Sequence, residues 1–372
     1  MRTRVALALA VLAAVAALLT LSPILTRGLW IARLVLRETS LVVSLAGGLA
    51  LALADPQARG GRAVRWLAAP AIVVGLLPFG TQWLALRRLG HSFSLVEYVT
   101  GVRSPAVREE RDVVLEAGPP ALHADVYHGA GAGARPFVVA VHGGSWRGGE
   151  RGQGQHTWRA LAAAGYTVVD VDYRLAPEHP FPAAVADVKC LLGRVRQKAA
   201  ALGIDPRRAA LVGRSAGGEL VLVAAYSAGD PRVPPSCAVE DAPVQAVIAL
   251  YAPADLVYGY YNPMRPDVLE SNRSLEAYLG GPPGEKRDAY LLANPRTWVR
   301  DAPVPPTLLL SGKSDPIVEC LHSQLLAAEL QAAGQRVLQA CVPFGEHGFD
   351  ARPGSVSEQL TRQAVLEWLK AI

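Results

Sequence analysis

The sequence predicts an α/β fold, a mostly parallel sheet flanked by helices, preceded by an apolar region of about three transmembrane helices. Three observations carry this. Beyond residue 110, short apolar or β-branched runs alternate with segments of helical periodicity, as in a sheet covered on both faces. Several of those runs are almost continuously apolar, the pattern of strands buried on both sides. Before residue 90, long uncharged stretches are separated by arginines. At 372 residues the chain has room for two such parts.

The two parts also differ in charge. Residues 1–104 hold 11 Arg, no Lys and 3 acidic residues, whereas 26 basic and 29 acidic residues follow. The sequence pI of 9.1 therefore originates in the first part. Its arginines flank apolar segments instead of clustering with aromatics, which argues against nucleic acid as a partner and for a membrane. The first segment, 5–25, is interrupted only by Thr20, Ser22 and Pro23. It meets the length of about 20 residues that a spanning helix needs. A second candidate covers 39–54. The third, 67–86, contains Pro70 and Pro78 but no charge. A cleaved signal peptide also begins with basic residues such as Arg2 and Arg4. Two further apolar segments close behind favour retained helices and a multi-pass position in the cell membrane.

Arg2, Arg4, Arg59, Arg62 and Arg65 on one side balance Arg27, Arg33, Arg37, Arg87 and Arg88 on the other, so the positive-inside rule has nothing to act on. An odd number of helices with the N-terminus inside places the rest of the chain outside the cytoplasm. Residues 91–110 read as a connector to a second domain, 111–372.

In that domain, strands are expected at 111–115, 122–127, 137–141, 167–171, 209–212, 244–250, 307–310 and 337–342. Helical spacing of apolar residues marks 182–202, 317–333 and 355–372. A long stretch rich in Tyr, Pro and Gly separates Leu250 from Thr307 and reads as a small cap, about 251–303, with a helix at Leu275–Leu279. The cysteines Cys190, Cys237, Cys320 and Cys341 form no CxxC pair and no zinc-ligand spacing. Buried thiols and disulfides of unspecified pairing both remain open.

The chemistry-bearing pattern begins at Gly213-Arg214-Ser215-Ala216-Gly217-Gly218, which follows an apolar run and precedes a helical one, 219–226. A strand–turn–helix of this kind is what a nucleophile elbow requires. A serine hydroxyl is a poor nucleophile until it is exposed and paired with a base. Roughly 70 residues earlier, His142-Gly143-Gly144-Ser145-Trp146 follows the strand at 137–141. Backbone amides of Gly143 and Gly144, with that of Ala216 at the helix start, form a candidate oxyanion hole.

These two motifs, with Asp172-Tyr173-Arg174-Leu175-Ala176-Pro177-Glu178 and Phe181-Pro182-Ala183 between them, resemble the hormone-sensitive-lipase-like branch of the α/β-hydrolases and neighbouring carboxylesterases. The resemblance spans about residues 111–372. It implies an α/β-hydrolase fold and hydrolysis of small-molecule or lipid esters by Ser, Asp and His in that chain order, with no cofactor and no metal. It departs at Ser145, where the branch usually has a third glycine, and at Arg214, where Asp is often found. Asp315, just after the strand at 307–310, stands where the resemblance places the triad acid. Its role would be to orient the imidazole and stabilise its charged form.

Only His322 and His347 follow both serine and acid. His322 falls in a helical pattern that suits a surface role, whereas His347 lies in a loop after the last strand and suits the general base. Glu346 and Asp350 stand too close to His347 in the chain to supply the acid. Arg174, Asp187, Asp172 and Glu178 fit charges that buttress a loop. Trp146 and the tyrosines at 251, 258, 260 and 261 fit either pocket lining or cap packing. Two rival readings share the scaffold: an amidase or peptidase, arylformamidases included, and a catalytically silent binding protein.

Overall fold

The structure, a computed structural model, describes residues 2–101, 105–118, 121–299 and 303–370. Residues 102–104 of the expected connector, 300–302 of the expected cap and 371–372 of the last helix lie outside that set. The chain divides into two compact units. One comprises Met1–Val102, Gly312–Pro316 and Val342–Thr361; the other comprises Arg103–Ser311, Ile317–Cys341 and Arg362–Ile372.

The first unit contains α1 (Arg2–Leu21), α2 (Arg27–Glu38), α3 (Ser40–Leu53), α4 (Gly61–Arg88) and α5 (Leu95–Thr100). On α1, Ala6, Ala10, Ala13 and Ala17 are buried at spacings of three and four, a single helical face of small side chains. Ala6 and Ala10 pack with Ala50, Val64 and Ala68, and Ala13 and Ala17 pack with Val43 and Ala71. A Cβ on Gly75 of α4 would press on the Ser40 carbonyl and the Ser44 side chain of α3. Ser44 Oγ in turn donates to the Ile72 carbonyl at 2.9 Å. Small residues that let helix backbones approach closely are how helices associate in lipid, where apolar burial provides no net drive. The outward faces are apolar: Leu12, Leu18 and Trp66 are 66%, 71% and 77% exposed.

Two helices, α1 and α4, are long and apolar enough to cross a membrane by length and composition. The third span expected at 39–54 falls on α3. Here α3 is 14 residues, about 21 Å at about 1.5 Å per residue, short of a hydrocarbon core of about 30 Å. It joins α2 at a 71° bend, so the pair counts at most as one broken span. Pro70 and Pro78 sit inside α4 without ending it.

The second unit is built on an eight-stranded sheet: β1 (Glu109–Glu116), β2 (Leu122–Tyr127), β3 (Arg135–Val141), β4 (Thr167–Val171), β5 (Ile204–Arg214), β6 (Ala246–Leu250), β7 (Thr307–Gly312) and β8 (Val337–Val342). Every expected strand is present. Their order is β1-β2-β4-β3-β5-β6-β7-β8. The first two pairings, β1 with β2 and β2 with β4, are antiparallel. From β4 through β3, β5 and β6 to β7 the sheet is parallel. The residues of β4 and β6 are all buried, as are Phe137 to Val141 of β3. That burial explains the continuous apolar sequences of β6 and of Phe137 to Val141, whereas β4 buries Asp170 as well.

The connecting helices are α6 (Gln155–Ala163), α7 (Ala183–Gln197), α8 (Ala199–Leu202) and α9 (Ala216–Tyr226). The cap follows β6 as α10 (Leu256–Tyr261), α11 (Ser271–Leu279), α12 (Arg287–Leu292) and α13 (Pro295–Trp298). After β7 and β8 come α14 (Cys320–Ala332) and α15 (Val356–Leu369). Arg174 pairs with buried Asp187 through two side-chain bonds of 2.8 and 2.6 Å, the buttress expected of those charges.

All four cysteines are paired, Cys190 with Cys237 and Cys320 with Cys341. Each bridge is expected to contribute about 2–5 kcal/mol. Alkylation of denatured, unreduced protein should therefore label no cysteine, and reduction should lower Tm. Labelling of all four thiols without reductant contradicts the pairing.

Candidate active site

The strand β5 ends at Arg214, and α9 begins two residues later. Ser215 bridges them with φ 52° and ψ −122°. A non-glycine residue there costs of order 1–3 kcal/mol, so its surroundings must hold it. The Ser215 amide donates to the Leu250 carbonyl at 2.9 Å, and the Ser215 carbonyl accepts from Gly218 and Glu219. A Cβ on Gly213 would collide with the Gly217 carbonyl, and one on Gly217 with the His142 carbonyl. The glycines of the motif are thus places where backbone meets backbone.

The loop after β3 packs against this turn. Gly144, Ser145 and Trp146 all have positive φ, at 138°, 53° and 58°. Ser145 therefore occupies a left-handed conformation that a glycine adopts without strain. The Gly143 amide donates to Gln153 Oε1 at 3.1 Å. The amides of Gly144 and Ser145 meet no protein acceptor among the described residues, and that of Ala216, first in α9, has no intrahelical one. Gln153 also accepts, through its carbonyl, a 2.8 Å bond from Arg214, whose guanidinium lies 4.8 Å over the Trp158 ring. The residue before the serine thus braces the loop that precedes it in the chain. His142 stacks on Tyr173 at 4.3 Å.

Glu219, one turn into α9, is fully buried. It accepts from Trp146 Nε1 at 2.8 Å and from the Tyr278 hydroxyl at 3.4 Å. Trp146 and Tyr278 are stacked at 4.6 Å. Burial pushes the Glu219 carboxyl well above the usual range, against the pull of those two donors. One side chain therefore ties the elbow helix, the loop after β3 and the cap. Nothing in the local sequence marks it, because its partners lie 59 and 73 residues away.

A narrow cleft of about 60 Å³ opens beside Ser215 and Ser145, with Trp146, Leu256, Met264 and Leu275 among its apolar walls. Trp146 both lines the cleft and packs under the cap. The tyrosines 258 and 260 instead bond Glu319 and Glu276. His322 corrects the surface role expected of it. It is buried, lines the cleft, and accepts the Asp255 amide on Nδ1 at 3.2 Å.

In the other unit, His347 Nδ1 and Asp315 Oδ2 are 2.8 Å apart, and both side chains are buried. Their loops are joined by the Lys313 amide on Val342 O and the Ser314 amide on Gly345 O, each at 2.9 Å. Next to His347, buried Glu346 receives Arg33 at 2.6 and 3.1 Å and Arg37 at 2.6 Å. Ser215, Gly143, Gly144 and Ala216 thus assemble in one unit, and Asp315 and His347 in the other. Among the described residues the one grouping with metal-ligand donors is Glu116, Cys190 and Cys237, and its two sulfurs are joined to each other.

Residues 124–330 match the protein-family model described as BD-FAE. The chain is 32% identical over 244 residues to the probable carboxylic ester hydrolase LipM of Mycobacterium tuberculosis, covering 64% of this chain and 55% of LipM. It therefore spans little more than half the length of that relative. It is 29% identical over 331 residues to the esterase LipQ of the same organism, covering 79% of this chain and 77% of LipQ. Among solved structures, an esterase of Pyrobaculum calidifontis is similar at 27% identity and a TM-score of 0.58, over 79% of this chain and 89% of that one.

Beneath the loop, Asp170 Oδ2 accepts the Gly152 amide at 2.7 Å. Burial pushes its carboxyl up to about 7, with Gly152 and Arg214 opposing the rise. Unfolded, it ionises near about 3.9, so the folded state keeps its proton across the interval between. The resulting stability is complete below about pH 4 and is lost as pH rises through about 7. Asp170→Asn should therefore gain Tm over wild type as pH is raised from about 5 to about 8. A Tm difference that stays constant over that range contradicts the assignment.

Proposed function

The chain belongs to the BD-FAE family of α/β-hydrolase carboxylesterases, and from that premise we propose that it hydrolyses carboxylic esters through an acyl-enzyme on Ser215. The observation that carries the proposal is the elbow: a serine in a strained turn, facing a cleft, beside backbone amides with no protein acceptor among the described residues. In this reading the Ser215 hydroxyl adds to the ester carbonyl carbon, and His347 takes its proton. Asp315 holds the imidazole through Nδ1, which leaves Nε2 as the basic nitrogen. The tetrahedral oxyanion is held by the amides of Ala216 and Gly144, with Ser145 beside them. The Gly143 amide, bonded to Gln153, braces the loop.

Collapse of the intermediate breaks the bond to the alcohol oxygen, which leaves with the proton from His347. Water, deprotonated by the same imidazole, then adds to the acyl-enzyme and frees the acid. None of these steps calls for a cofactor or metal. The narrow, apolar cleft suits a short apolar group on one side of the ester. The proposed location is a membrane, held by α1 and α4 with α2 and α3 as a broken third span. The two disulfides support a catalytic unit on the oxidising, extracytoplasmic side.

Amide hydrolysis uses the same groups, and the reading as an esterase rests on the named relatives. Ser215→Ala should lower kcat on a p-nitrophenyl ester at least about a thousandfold with Tm retained. Wild type should turn over that ester at least tenfold faster than the matched p-nitroanilide. Full activity in the Ser215 variant, or preference for the anilide, rejects the proposal.

A further inference from the structure

The N-terminal helices do more in this molecule than supply apolar length. Arg33 and Arg37 stand one turn apart on α2, on a face opposite to exposed Ile31 and Val35. Both guanidinium groups converge on Glu346, whose side chain is completely buried. Arg33 meets it with two bonds, from Nε at 2.6 Å and from Nη2 at 3.1 Å, and Arg37 Nη1 meets Oε1 at 2.6 Å. The same arginines hold the end of the first helix: Arg33 donates to the Ser22 carbonyl at 2.8 Å and Arg37 to the Thr20 carbonyl at 3.2 Å. Arg37 also bonds the Phe344 carbonyl and lies 5.4 Å over that ring. The loop that carries His347 is therefore gripped at two of its residues by one short helix.

We propose that Arg33 and Arg37 are positioning residues for His347, acting through Glu346, so that the chemistry depends on the N-terminal helices. The proposal rests on the reading of His347 as the general base. Glu346 sits next to His347 in the chain, and two fixed anchors on a carboxylate define the path of the backbone between them. A buried carboxylate is costly unless paired. Burial raises the Glu346 carboxyl above its usual range, and Arg33 and Arg37 act against that rise. Removing the arginines leaves a charge that must move, and the loop moves with it.

The charges facing Glu346 are Arg33 and Arg37 from α2 and Asp315 from the loop after β7. Three further ionisable groups of the same unit have their own partners. Glu38 bonds Ser357, Arg352 bonds the Glu38 and Tyr98 carbonyls, and Glu358 bonds the Gly354 amide. Buried Asp350 lies three residues after His347. The clamp therefore carries two positive charges and one negative charge, the last on the residue that precedes His347 in the chain. Arg37→Met removes a positive charge, which favours the imidazolium and moves the acid limb of kcat/KM to higher pH. Glu346→Gln removes the negative charge and moves the limb the other way. Each displacement should be about one pH unit for a unit charge several ångströms away.

The experiment measures the pH profile of ester hydrolysis by the full chain in detergent for wild type, Arg37→Met, Arg37→Lys, Glu346→Gln and His347→Ala. The expected result is a fall of at least tenfold in kcat for Arg37→Met with KM within twofold, opposite displacements of the acid limb for Arg37→Met and Glu346→Gln, and recovery in Arg37→Lys. A merely structural contact lowers the active fraction without moving either limb, and that outcome overturns the proposal. So does wild-type kcat in Arg37→Met. If Arg37→Met does not fold, Glu346→Gln alone decides by the direction of its limb. Retained activity in His347→Ala removes the general-base reading itself, a failure distinct from that of the clamp.

Discussion

Ser215 is held at φ 52° and ψ −122° by backbone bonds and close backbone contacts within the second unit. The strand that delivers it, β5, is pinned between β3 and β6 in a parallel register that ends at the elbow. Its amide is tied to the end of β6, and the carbonyl oxygens of Gly217 and His142 close off the space on either side. A turn this tight starts a helix at once. In the proposed mechanism the Ala216 amide at the start of that helix helps hold the oxyanion, with no side chain needed.

The same turn organises what surrounds it. Arg214, one residue before, reaches Gln153, which in turn bonds the Gly143 amide. Glu219, four residues after, takes Trp146 from the loop and Tyr278 from the cap. Loop, elbow and cap are therefore coupled through two polar side chains buried at 5% or less. Buried networks of this kind specify one arrangement when fully satisfied and become costly when one member is lost. The proposed base has a separate foundation, the bond of His347 to Asp315 and the grip of α2 on Glu346. A hydrolase whose imidazole loop rests on its N-terminal helices would not be expected to keep full activity when those helices are cut away.

Much of this was legible in the sequence, and the parts that were not share a cause. The central strands announced themselves because burial on both faces demands apolar runs, as in Val138 to Val141 and Val247 to Leu250, whereas the edge strands β1 and β8 are only partly buried. The elbow and the loop after β3 were legible because their glycines answer to backbone collisions within a few residues or across adjacent strands. Helix α2 was missed because arginines every four residues read as membrane flanks, while their acidic partner lies 313 residues further on for Arg33. His322 was misplaced because its helical pattern shows spacing but not which face the cleft occupies. The disulfides have no signature in spacing, since 47 and 21 residues separate the partners. The third membrane segment is legible only as an apolar run, because composition does not show the 71° bend that leaves α3 at 14 residues and joins it to α2.

In the proposed mechanism one serine, made reactive by its backbone and neighbours, carries the chemistry. Reaction of the full chain with a fluorophosphonate, followed by peptide mass spectrometry, tests it most directly. One phosphonyl group per chain is expected, on Ser215, with ester hydrolysis lost in proportion to labelling. Label on another residue, or a folded protein that hydrolyses esters while Ser215 stays unmodified, would contradict it.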